Sequence, residues 1–175
     1  MVARHDFGST DGTVTGRDEW TANVNTVLGE TSYVNAGIEA EYNSVTNLLT
    51  IHVEVYYTGN SPVSANYLSV ALLQNNIIGP QSGASGNPYG DNGDGTYTHQ
   101  HMFRDMINGV WVTELSSTTT GSFHEYTFYY DVPSDINGIT VVPSDLEIVA
   151  LVHETEAEVE SANGCTPTIV STVPN

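Results

Sequence analysis

From Val34 onward the chain alternates apolar and polar residues with a period of two. Val34, Ala36, Ile38, Ala40 and Tyr42 interleave with Asn35, Gly37, Glu39 and Glu41. Leu49, Ile51, Val53, Val55 and Tyr57 interleave in the same way with Thr50, His52, Glu54 and Tyr56. Successive side chains of a strand point to opposite faces, so each run predicts a strand with one dry and one wet face. Asn43–Asn47 between them reads as a five-residue hairpin connection. Tyr67–Leu73 is more uniformly apolar and predicts a central strand. Thr96–Ile107, Gly121–Val132 and Asp145–Glu156 carry further strand patterns, and Thr168–Val173 reads as an edge strand. Residues 79–95, rich in Gly, Pro, Asn and Ser, read as a loop.

The first thirty residues follow another rhythm. Residues 1–16 are polar and punctuated by Gly8, Gly12 and Gly16. From Arg17 to Glu30 the apolar residues Trp20, Val24, Val27 and Leu28 recur on one helical face, with Asp18 and Glu19 where a helix N-terminus favours anions. The spacing predicts one helix, with Trp20 packed into the core. No strand–helix alternation of the kind a parallel sheet needs is present. The fold class expected is therefore all-β, an antiparallel β-sandwich of about seven to nine strands with one short N-terminal helix. The expected division is 1–30, a loop and helix linking to something upstream, and 31–175, the sandwich.

Charge narrows the function. The chain of 175 residues carries 21 carboxylates against three cationic side chains, a net charge of −18. The three are Arg4, Arg17 and Arg104, and no lysine occurs. Phosphate backbones repel such a surface, which excludes nucleic acid as a partner through a basic face. It equally excludes polybasic adhesion to anionic membranes. The single Cys165 allows neither an internal disulfide nor a cysteine-cluster metal site. No apolar run reaches the ~18 residues of a membrane span, and Met1–Asp6 has no apolar signal core. Membrane insertion by this segment is not expected, and export would rely on a signal outside this chain.

Two groups are candidate metal ligands. Asp91, Asn92 and Asp94, spaced by Gly93 and Gly95, offer hard oxygens on a tight backbone, and calcium is the cofactor that would suit them. The same residues are also ordinary turn formers. His99 and His101, two apart on an expected strand, would share one face with Tyr97, Phe103 and Asp105, which suits a transition metal or, equally, hydrogen bonds in a partly buried sheet. Glu154, Glu156, Glu158 and Glu160 would line one strand face, where a solvated surface that discourages aggregation is the simpler reading. Trp20, Trp111 and Tyr residues such as Tyr56 could form a sugar platform. No serine-centred nucleophile turn or phosphate-cradling glycine motif occurs, so no catalytic residue and no other cofactor is assigned.

Asn66–Gln81 reads Asn-Tyr-Leu-Ser-Val-Ala-Leu-Leu-Gln-Asn-Asn-Ile-Ile-Gly-Pro-Gln, and Tyr97-Thr98-His99-Gln100-His101-Met102-Phe103-Arg104 follows the Gly-rich loop. This order of motifs resembles the twenty-eight-kilodalton outer membrane protein family of Gram-negative envelopes. Segments from Trp20 through Ala40-Glu41-Tyr42 and Val53–Tyr57, and Leu146–Val152, extend the resemblance over roughly residues 17–160. The resemblance implies an immunoglobulin-like sandwich, a cell-envelope or extracellular location and no transferable catalytic activity. Val2–Gly8 also resembles the tail of a thioredoxin-like domain, which longer relatives place ahead of the sandwich. The function expected is a non-enzymatic interaction or scaffold module that binds a protein or glycan partner through sheet faces or end loops, chiefly residues 79–95 and 108–121. Two alternatives stay open: an auxiliary domain of a thiol–disulfide oxidoreductase whose thioredoxin-like part lies elsewhere, and a calcium- or metal-dependent binding module.

Overall fold

The computed structural model describes residues 2–8, 12–83, 85–110, 113–155 and 158–172. In chain order these form α1 (Trp20–Leu28), β1 (Val34–Asn43), β2 (Leu48–Tyr57), β3 (Asn66–Gln74), β4 (Ile77–Gly79), β5 (Tyr97–His99), β6 (Met102–Met106), β7 (Thr113–Leu115) and β8 (Phe123–Asp131). They continue with β9 (Asp135–Ile136), β10 (Ile139–Thr140), β11 (Leu146–His153), β12 (Val159–Cys165) and β13 (Thr168–Val170). One sheet has the order β13-β1-β2-β8; the other runs β12-β11-β3-β6, with β7 on the remaining half of β3. These two sheets hold nine strands, in line with the expected seven to nine, and β4–β5 and β9–β10 form separate ribbons. Pairing within the two sheets is antiparallel except for β13, which runs parallel to β1.

The alternating pattern places the core. Val34, Leu49, Ile51, Val53, Val55 and Tyr57 of the first sheet meet Leu68, Val70, Leu72, Leu146, Ile148 and Val152 of the second in one cluster, all sealed from solvent. Each such side chain contributes about 1.5–3 kcal/mol on burial. The β1–β2 hairpin closes through residues 44–47, with Asn43 opposite Leu48. Asn43 Oδ1 accepts the amides of Val45 and Thr46, and Asn47 takes φ +57°, a conformation Asn tolerates. The chain changes sheets between β12 and β13. Around this corner Asn163 Nδ2 donates to the Ala36 carbonyl and the Ala36 amide donates to Ser161 Oγ.

Three expectations need correction. The Thr96–Ile107 strand is broken: β5 pairs with β4 and β6 with β3, and between them His101 adopts φ +54°. The glutamates 154–160 do not share a strand face. β11 ends at His153, β12 starts at Val159, and Glu158 sits at φ +58° in the connecting turn, where the Glu154 amide donates to its carbonyl. Glu156 lies outside the described residues. The helix forms, yet none of its residues is buried. Trp20, Val24 and Leu28 stand 46%, 41% and 77% exposed, so the expected packing of Trp20 into the core is not observed. A regular apolar spacing predicts a face but not what that face meets.

Candidate functional site

Strands β1, β2 and β8 bring their wet sides together into one outer surface. Cross-strand register aligns Asn35 with Tyr56 and Phe123, Gly37 with Glu54 and Glu125, Glu39 with His52 and Thr127, and Glu41 with Thr50 and Tyr129. Four carboxylates thus surround one imidazole, and aromatic rings flank them: Tyr56 and Phe123 at one end, Tyr129 toward the other. His52 Nε2 lies 3.3 Å from Glu125 Oε1 and 3.7 Å from Glu54 Oε1. Tyr56, Phe123 and Tyr129 are 48%, 53% and 68% exposed. A shallow depression of about 370 Å³ runs beside Glu39, Glu41, Thr50, His52 and Thr168. It is extended by a second dip over Gly37, where the missing side chain opens space between Glu39, His52 and Glu54.

The arginines are placed elsewhere. Arg104 is buried, and its Nη2 donates to the carbonyls of Ile136 and Ile139 at 3.1 and 2.8 Å. The Arg4 charge acts on His153 at the end of β11, the Arg4 carbonyl accepts the Glu158 amide, and Arg17 is exposed just before α1. The outer face therefore keeps its negative charge without a cationic side chain of its own.

The candidate calcium ligands lie in one turn whose own donors they serve. Asp91 Oδ1 accepts the Gly93 amide at 2.9 Å and Oδ2 the Gly86 amide at 2.7 Å. Asp94 Oδ1 accepts both the Thr96 amide and the Thr96 hydroxyl, and Asn92 Oδ1 accepts the Thr98 hydroxyl. These bonds hold both carboxyl groups below the usual carboxylate range; the Gly93 amide is the largest cause for Asp91 and the Thr96 hydroxyl for Asp94. Gly90 is required here, because a Cβ would enter the Tyr97 ring. His99 and His101 are not brought together on one strand. His99 ends β5 with its ring edge-on to Tyr97, whereas the exposed His101 donates from Nδ1 to Glu147 Oε2 at 2.6 Å. Among the described residues no three His, Cys, Asp or Glu side chains are grouped to hold a metal ion. Trp111 lies outside the described residues. Cys165 is half-buried, and burial, followed by the charges of Glu39 and Glu147, pushes its thiol up, away from nucleophilic character.

Two polar groupings were not legible in the sequence. Ser69 and His153 meet inside the second sheet, with Oγ 2.9 Å from Nε2. His153 Nδ1 lies 2.9 Å from the Thr155 carbonyl, which can only accept, so the neutral ring carries its proton on Nδ1 and Nε2 accepts from Ser69. Burial pushes the imidazole down to about 4. Ser69 is 3% and His153 0% exposed, so no substrate reaches this pair. The second grouping runs from Tyr57 through Asn66 and Tyr33 to Glu154. Burial raises the phenol of Tyr57 to about 12, and that of Tyr33 is also driven up, chiefly by burial. The first set needs the β3–β11 pairing within one sheet and the second needs β2 of one sheet to meet β3 of the other, so neither follows from any single segment.

The architecture defines an all-β domain with a broad exposed sheet face. Residues 10–165 match the family described as Outer membrane protein Omp28, and the chain belongs to that family, a module of envelope proteins. Its fold is similar to a domain of the outer membrane lipoprotein Omp28 from Porphyromonas gingivalis, with TM-score 0.54 and 19% identity over 80% of this chain and 100% of that one. It is also similar to HBP35 of Porphyromonas gingivalis, with TM-score 0.71 and 16% identity over 95% of this chain and 52% of that one. No curated protein matches the chain. No helix among the described residues is long and apolar enough to cross a membrane.

Proposed function

We propose that this domain is a non-enzymatic recognition module of the cell envelope or extracellular space, engaging a protein or glycan partner through the outer face of β1, β2 and β8. The observation that carries the proposal is the continuous exposed array of Tyr56, Phe123 and Tyr129 among Glu39, Glu41, Glu54 and Glu125. A sheet fixes these side chains in a rigid register, so little ordering entropy opposes binding. The buried Ser69–His153 pair and the half-buried Cys165 offer no accessible nucleophile, which supports a binding role over catalysis. Loops 79–95 and 108–121 are a lesser candidate surface, since many polar groups of the first bond one another.

Photo-crosslinking tests the reading. A photoreactive phenylalanine at Tyr129 or Tyr56, expressed in the native envelope, should yield a discrete cross-linked product that the same probe at Tyr89 does not. Equal products from all three positions, or none from the face, would sink it. The oxidoreductase alternative turns on the parent reading frame: a paired-cysteine motif upstream would favour it.

A further inference from the structure

Resting on the recognition reading, the geometry points to β8 as an acceptor edge for an extended, lysine- or arginine-bearing strand of a partner protein. β8 ends its sheet and is ladder-paired with β2 alone, so the N–H and C=O groups along its other side meet no backbone partner among the described residues. At nine residues it is a long edge, and its ladder with β2 shows no register shift. The other margins differ. The far end of the same sheet is capped by the three-residue β13, β12 leans its Ser161 and Asn163 side chains onto β1, and β6 is five residues long with a register shift in its pairing to β3.

Exposed edges are usually blunted by proline, by a bulge or by lysine. Phe123–Asp131 has none of these; its only charged side chains are Glu125 and Asp131, both exposed. Two copies meeting edge to edge would confront carboxylate with carboxylate, which disfavours self-pairing. A basic strand meets the reverse. Its outward side chains would stand beside Glu125 and Asp131 and over the rings of Phe123 and Tyr129, where opposite charge and cation–π attraction act together. On the inward side His124, Tyr126, Phe128 and Tyr130 are only half-buried, and Tyr126 stacks on both His124 and Phe128 at ring separations of 6.5 and 6.0 Å. Alternate apolar residues of the incoming strand would cover these rings. The occupant is thus a partner segment that alternates basic and apolar residues and is read by strand addition.

The test uses the full chain and an octapeptide alternating lysine with valine. Hydrogen exchange should slow at residues 123–131 when the peptide is added. N-methylation of the peptide amides that face β8 should weaken binding by about tenfold or more, the equivalent of losing one to two hydrogen bonds. Glu125→Gln with Asp131→Asn should also weaken it about tenfold, whereas Asp18→Asn with Glu114→Gln, the same charge change away from β8, should leave it within about twofold. Equal loss from both pairs, or indifference to N-methylation, would overturn the inference in favour of diffuse charge attraction. Protection of β8 that depends on protein concentration without peptide would overturn it in favour of a second copy. Glycan binding that requires Tyr56 and Tyr129, with no peptide binding, would overturn it and leave the broader recognition reading standing.

Discussion

Tyr57 Oη donates to Asn66 Oδ1 at 2.9 Å, joining β2 of one sheet to β3 of the other through two side chains with no solvent exposure. The bond begins a one-way relay: Asn66 Nδ2 donates to Tyr33 Oη, and Tyr33 Oη donates to Glu154 Oε1. Ser61 Oγ adds a second donor to Tyr33. Every member is satisfied in one direction, so removing one leaves a buried partner unpaired.

Tyr57→Phe should therefore destabilise the domain by about 1–3 kcal/mol, the cost of an orphaned buried amide oxygen. Urea denaturation at neutral pH measures it. A loss under about 0.5 kcal/mol would mean that Asn66 finds another donor.

His153 gives a pH dependence with a definite sign. Its folded value of about 4 lies below the ordinary imidazole value of 6.5. Between these two the unfolded chain binds the proton more readily, so stability falls as pH drops through that window. The effect is on the order of 3 kcal/mol at full extent. His153→Gln should flatten the fall in denaturation midpoint between pH 7 and pH 4, whatever it does to absolute stability. An unchanged slope would assign the acid sensitivity to other groups.

Glu160 works in the opposite sense. Burial is the leading cause that raises its carboxyl, followed by the charges of Glu154, Glu158 and Glu30. A folded value above the unfolded one means that its contribution is present at low pH and lost as pH rises through the folded value. Glu160→Gln should consequently stabilise the protein at pH 7, with the advantage vanishing near pH 4. Parallel denaturation curves of variant and parent at the two pH values decide this.

Asp91 and Asp94 already accept donors from their own turn. Millimolar calcium should accordingly leave the melting temperature of the chelator-treated protein unchanged, because a ligand of the native state would raise it. A rise of several degrees that Asp91→Asn removes would reinstate the turn as a cation site.

Much of the framework follows from the sequence alone. Period-two alternation is a backbone property of a single strand, so it placed β1, β2, β8 and β11 and sorted Glu39, His52 and Glu54 to the wet side before any pairing was known, while the continuous apolar run Tyr67–Leu73 placed β3. Chain-wide charge likewise excluded polyanionic partners without reference to shape. The motifs of residues 66–81 and 97–104 also carried the family.

Tertiary structure decided everything that depends on two segments meeting. It broke the expected His99–His101 strand, because β5 and β6 answer to different neighbours and His101 turns between them. It left Trp20 exposed, since an apolar helical stripe states a preference and not a partner. It also set Glu125 beside His52, sealed His153 against Ser69 and left β8 as an open edge. Register and sheet order are long-range choices, fixed by which hydrophobic faces close on one another, and no local pattern in the chain encodes them singly.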